Sequence, residues 1–174
     1  MTRPTQARLR QALFNSIQTT IPDAKVLDLF AGSGALGFES LSRGASHVTF
    51  VESSRAALKT IEENAADLKV LDRIEIISES VASAVVKLLS RSTDKCTPFD
   101  LILADPPFVD AWEMKMLESL NWPWEELLSE GGMFCLEWGN QKSKVDSLPE
   151  KTGFLVKVRE KNYGDSVLTT YTRS

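Results

Sequence analysis

The chain has 174 residues, 43% hydrophobic and 25% charged, the values of one ordinary globular domain long enough to bury a full core. Its formal net charge of −4 argues against a generic nucleic-acid binder, and two distant cysteines (Cys96, Cys135) with one histidine (His47) argue against a disulfide framework, a metal site or His-based catalysis. No apolar run approaches a membrane span of about 20 residues and no signal peptide opens the chain, so the expectation is a cytoplasmic protein.

Charge is unevenly placed, with Arg3, Arg8 and Arg10 near the start and no acid beside them, while acids gather in 113–130. Thr5 is the expected N-cap of a first helix running to about Gln18. Leu9, Ala12, Leu13, Phe14 and Ile17 fall on its apolar face and the arginines on the other. Such arginines either solvate the helix or meet substrate phosphate.

The first strand, 25–30, runs through Val26, Leu27 and Leu29 into the small residues Ala31 to Gly34, and a helix opens at Ala35. Gly32 and Gly34 put no side chain between backbone and ligand, and the new helix N-terminus presents unpaired N–H groups to an anion. Gly44 closes that helix as a C′ residue. A second strand, His47 to Glu52, ends in an acid beside the glycine loop, where a carboxylate can accept both ribose hydroxyls. Gly32, Gly34 and Gly37 satisfy G-x-G-x-x-G, so spacing alone permits a dinucleotide site and a NAD-binding oxidoreductase.

Ser53 or Ser54 caps a helix over 55–68, a strand follows over 73–78, and a helix over 81–89 precedes a polar surface connection at 90–98. The next strand, 99–104, is nearly all apolar and therefore central. A helix over 112–120 is broken by Trp122-Pro123-Trp124, and Gly131-Gly132 introduces a strand over 133–138. A short polar helix and two strands, 154–161 and 167–172, joined at Tyr163-Gly164-Asp165, complete the chain. Strands alternating with helices predict an α/β fold with a parallel sheet and a C-terminal antiparallel hairpin.

Two features point away from NAD. Asp28 lies inside the first strand, and Asp105-Pro106-Pro107-Phe108 directly follows the central strand. Two prolines cannot donate hydrogen bonds and fix φ, so this loop presents carbonyl oxygens in a preset direction. A carboxylate and a proline carbonyl can accept both N–H groups of an exocyclic amine and aim its lone pair. Phe108 offers a face for a base, worth about 1 to 3 kcal/mol in single-strand binders. An aryl amine is a poor nucleophile, so alignment, able to supply on the order of 7 to 11 kcal/mol, is the main lever.

The glycine loop and the Asp-Pro-Pro-Phe loop together resemble the cofactor and catalytic motifs of S-adenosylmethionine (SAM)-dependent amino-group methyltransferases. More closely, the chain resembles the RsmD family of bacterial 16S ribosomal RNA (guanine-N2)-methyltransferases. The matching residues are Arg3-Pro4-Thr5 with Arg8, Arg10, Leu13, Phe14 and Asn15, the run Asp28 to Gly37, Leu41 to Ala45 with Glu39, Val51-Glu52, Asp105 to Phe108, and Tyr163-Gly164-Asp165. The resemblance implies a class I SAM-dependent methyltransferase (Rossmann-like) fold, a mostly parallel seven-stranded sheet in a single domain over 1–174, with the basic helix of 1–20 packed on the core. It implies SAM as donor, guanine N2 as acceptor and ribosomal RNA in a small-subunit particle as partner, with no metal and no membrane; a monomer is the default.

Carried over by position, Asp28, Phe30, Gly32, Gly34, Glu52 and Ser80 would hold the cofactor. Asp105, Pro106, Pro107 and Phe108 would hold the base, and Arg3, Thr5 and Arg10 would shape the entrance. The family's opening is usually preceded by a basic β-hairpin, and here the sequence begins at Met1. An acid commonly stands where Ser80 falls, and Gln11 replaces a favoured Glu. The alternatives are N-methylation of DNA adenine or protein glutamine, or a non-catalytic RNA-binding assembly factor.

Overall fold

The computed structural model describes residues 4–91, 98–107, 111–118, 122–139 and 146–174. Arg3, Cys96, Phe108 and the short polar helix expected after Trp138 lie outside the described residues.

The first helix, α1 (Pro4–Ser16), begins two residues earlier than expected, so Thr5 stands inside its first turn and is not its N-cap. Proline's fixed φ suits the first turn of a helix, where the missing N–H has no partner to lose. Leu9, Leu13, Phe14 and Ile17 are buried as the helical spacing requires, while Arg8 is exposed and Arg10 half-buried.

Then follow β1 (Lys25–Leu29), α2 (Ala35–Ser42), β2 (His47–Val51), α3 (Arg55–Asp67), a 3-10 turn at Leu71–Arg73, β3 (Ile74–Ile77), α4 (Val81–Ser90) and β4 (Phe99–Ala104). After these come α5 (Trp112–Glu118), α6 (Trp124–Leu127), β5 (Leu128–Gly139), β6 (Lys151–Thr152), β7 (Leu155–Tyr163) and β8 (Ser166–Arg173). The sheet runs β3-β2-β1-β4-β5-β8-β7-β6, with β1 to β5 parallel to their neighbours and β8 antiparallel to β5. It therefore has eight strands among the described residues, one more than expected. The extra one is the two-residue β6, which pairs only with the start of β7.

Strand β5 starts at Leu128, five residues before the expected position, and Gly131-Gly132 lie within it. Between the Phe99–Leu128 and Leu101–Met133 pairs the register shifts, so the glycines form an irregularity in the strand and not its entrance.

Helices cover both faces of the sheet. Leu13 and Phe14 of α1, with Ile17 just past its end, pack with Leu41 of α2, Ile61 of α3 and the sheet residues Val26, Leu103 and Cys135. On the other face Ala84 and Leu88 of α4, Met116 of α5 and Trp124 pack on Leu27, Ile102 and Phe134. Strands β1, β2, β4, β5 and β8 alternate between these two cores, the period-2 pattern of a sheet buried on both sides, whereas β6 and β7 at the edge are largely exposed. Among the described residues no helix is long and apolar enough to cross a membrane.

Candidate active site

Strand order reverses between β1 and β4, because β1 is followed by β2 on one side yet pairs with β4 on the other. In open α/β sheets a crevice forms at such a point, beyond the carboxyl ends of the strands. Leu29 pairs with Ala104, so the glycine loop and the Asp105-Pro106-Pro107 segment leave the sheet side by side.

The glycine loop is held from three directions. Phe30 turns the chain out of β1 with φ 59°, a left-handed conformation that is rare for a bulky residue and concentrates at ligand sites. Its ring packs edge-on against Trp112 at the start of α5, centroids 5.0 Å apart. The Gly32 N–H donates to Glu52 Oε2 at 2.8 Å, while Glu52 Oε1 accepts the N–H groups of Ser53 and Ser54, both at 2.8 Å. Asn64 Nδ2 on α3 donates to the Ser33 carbonyl at 3.3 Å.

Asp28 is placed behind this loop. It is 1% exposed and its Oδ2 accepts the Gly37 N–H at 2.9 Å, so it anchors the first turn of α2 from within the sheet. Burial pushes its carboxyl up to about 7, against the pull of the Gly37 bond, and the charges of Asp105 and Glu52 push the same way. Gly34 and Gly37 are both close-packing glycines: a Cβ at Gly37 would run into the Phe50 ring, and one at Gly34 into the Phe38 ring, so the side-chain position of Gly34 faces packing and not the open ligand space expected of it. Gly32, with φ 56°, would project a Cβ into open space on the solvent side of the loop. That space, with the first-turn N–H groups of α2 behind it and the Glu52 carboxylate beside it, fits a cofactor bearing a ribose and an anionic end.

Of the second motif, Pro106 is buried and Pro107 exposed. Solvent reaches the Asp105 side chain, which stands in a recess crowded by protein atoms. Burial, followed by the charge of Glu137, raises its carboxyl to about 7. A carboxylate poised there can accept an N–H bond and take a proton near neutral pH.

Other expected residues are placed as follows. Ser80 is exposed and caps α4: its Oγ accepts the Ser83 N–H at 3.3 Å and donates to Ser83 Oγ at 3.0 Å. The Tyr163-Gly164-Asp165 turn lies at the same rim as the loops, because Ser166 pairs with Gly139 at the end of β5. Among the described residues no group of His, Cys, Asp or Glu is arranged to hold a metal. Sequence reasoning missed Trp112 and Glu137, neither of which belongs to a motif. The one trace of Glu137 was an acid interrupting an otherwise apolar central strand.

A family model described as conserved hypothetical protein 95 matches residues 1–172. The chain belongs to this family, the RsmD family. It is 32% identical over 170 residues to YlbH of Bacillus subtilis (strain 168), a protein provisionally named an rRNA methyltransferase; the match covers 98% of this chain and 87% of YlbH. It is 36% identical over 129 residues to the ribosomal RNA small subunit methyltransferase D of Escherichia coli (strain K12), covering 72% of this chain and 61% of that protein. The solved structure of Escherichia coli yhhF, provisionally described as a methyltransferase, superposes with a TM-score of 0.77 at 31% identity. That likeness covers 99% of this chain and 87% of the other.

Proposed function

We propose that this RsmD-family protein transfers a methyl group from SAM to the exocyclic N2 of a guanine in small-subunit ribosomal RNA. Methylation of ribosomal RNA is the activity for which its relatives are named. One observation carries the finer reading: the glycine loop after β1 and Asp105-Pro106-Pro107 after β4 leave adjacent paired strands at the switch point, so a donor in one crevice would face an amine held by the other.

When bound, SAM supplies a methyl carbon made electrophilic by its sulfonium. Phe30, Gly32, Gly34 and Glu52 would hold it, with Ser80 at the rim and Asp28 acting through the loop. Asp105 and the Pro106 carbonyl would accept the two N–H groups of the base amine, turning its lone pair toward the donor. The nitrogen would gain the methyl group as the methyl–sulfur bond breaks with its electrons staying on sulfur, leaving a neutral thioether, and the proton the nitrogen gives up would pass to Asp105. Phe108 would stack on the base, which has to leave its own stack to enter, least costly in a single-stranded loop. Arg3, Thr5 and Arg10 would line the entrance on the α1 side, giving an acidic protein a local basic face for phosphate. The whole chain would act as one domain and one monomer.

Transfer of labelled methyl to immature small-subunit particles tests this reading. Label enters the RNA with the wild type and is lost with Asp105→Ala. SAM binding without label in RNA at any salt concentration would overturn it.

A further inference from the structure

Ala104 pairs with Leu136 at the end of β4, so Asp105, the first residue past that strand, leaves the sheet next to Glu137 of β5. Glu137 takes the face of the sheet that Cys135, two residues back, shares with Leu103 beneath α1, and its charge acts on the Asp105 carboxyl. On its other side Glu137 meets β8, where the Ser166 side chain hydrogen-bonds its carboxylate.

Two carboxylates at this spacing in a partly desolvated recess cannot both ionise cheaply. Among the described residues neither has a lysine or arginine as an ion-pair partner. Among the described residues, the charges of Asp105 and Glu52 both act on Asp28 in β1, and Tyr163 and Asp165 stand in the turn beside Ser166.

We propose that Glu137 is a positioning residue for Asp105: the two side chains share one proton, Glu137 is anchored by Ser166, and the oxygen of Asp105 left free is the one turned to the acceptor amine. The inference rests on the reading that Asp105 receives that amine. The pair starts with one proton and one negative charge. When the methylated nitrogen gives up its N–H proton, the N–H bond breaks with its electrons staying on nitrogen and an O–H bond forms on Asp105. The pair then holds two protons and no charge, and water removes one to reset it. Burial raises both carboxyls, and the charge of Glu137 adds to the effect on Asp105.

The test is a carbon-detected NMR titration of the side-chain carboxyls in the full chain without SAM, run beside pH profiles of methyl transfer to small-subunit particles. In the wild type, Asp105 and Glu137 titrate together in two steps. In Glu137→Gln, Asp105 titrates in a single step, lower by about one pH unit or more once the neighbouring charge is gone. The acidic limb of kcat moves down by the same amount, while the KM for SAM stays within twofold. Independent single steps in the wild type, or an Asp105 midpoint unmoved in Glu137→Gln, would overturn the proposal.

Should Glu137→Gln not fold, Ser166→Ala serves in its place. Loss of that bond moves the Glu137 step up and the Asp105 step down, and unmoved steps count against the proposal. Because the titration needs no substrate, a coupled pair in a protein that methylates no RNA would sink the functional reading and leave the pairing standing.

Discussion

The ring of Phe30 stands edge-on to the ring of Trp112, with 67° between their planes, and this contact joins the loop after β1 to the helix that follows the second motif. Lys115 Nζ lies over the Trp112 ring, 5.1 Å from its centroid. The loop after β1 is thereby packed directly against the start of α5. An edge-to-face pair contributes about 0.5 to 1.5 kcal/mol beyond its buried area. A double-mutant cycle in urea with Phe30→Leu and Trp112→Leu is expected to return a coupling energy in that range; additive effects would show that the loops are held independently.

Glu52 holds three backbone N–H groups at 2.8 Å. A carboxylate offers about four acceptor positions, so a ribose finds one open place and takes the second hydroxyl only as a loop N–H yields. Glu52→Gln leaves one oxygen to serve donors placed for two and removes the charge. The expected result is a stability loss of about 1 to 3 kcal/mol and a SAM affinity at least about tenfold weaker, read by denaturation and calorimetry.

Asp28 gives the protein a pH dependence with a definite sign. Its carboxyl sits near 7 when folded against a usual value of 3.8, so the folded state binds the proton more tightly than the unfolded state. Its contribution is complete below about pH 4 and is lost as pH rises through about 7, amounting to no more than about 4 kcal/mol. Asp28→Asn removes the titration. The difference in unfolding free energy between variant and wild type is therefore expected to shift in the variant's favour from pH 4 to pH 8, and a flat difference would show that Asp28 stays ionised throughout.

Gly37 is expected to matter for packing and not for ligand contact. Gly37→Ala should lower stability by about 1 to 3 kcal/mol through its clash with Phe50, and Phe50→Leu in the same chain should restore part of it. If Gly37→Ala leaves the melting temperature unchanged, the contact between α2 and β2 is looser than the structure shows.

The β1 to α2 segment could be read closely from sequence because each residue there obeys a strong local rule: apolar residues for a buried strand, glycines for open backbone, a helix former after the last of them. The central strand β4 was equally plain from its apolar run. Elsewhere local rules were outweighed by tertiary contacts. Gly131-Gly132 read as the entrance to a strand, yet pairing of Leu128 with Phe99 of β4 brings the chain into the sheet before them, and β8 joins from Met133. The two-residue β6 exists only by pairing with β7 and has no pattern of its own. Asp28 was visible as an anomaly in its strand, but that it faces Gly37 and not solvent depends on where α2 lands. Trp112 and Glu137 gain their meaning from neighbours distant in sequence, Phe30 and Asp105, and no spacing along the chain could reveal them.

The identity of the methylated nucleoside tests the central claim most directly. Small-subunit particles treated with the protein and SAM carrying a deuterated methyl group, then digested to nucleosides and weighed by mass spectrometry, should yield deuterated N2-methylguanosine and no other labelled nucleoside. Label in N6-methyladenosine, or in protein alone, would contradict the assignment of the Asp105 recess to the guanine amine.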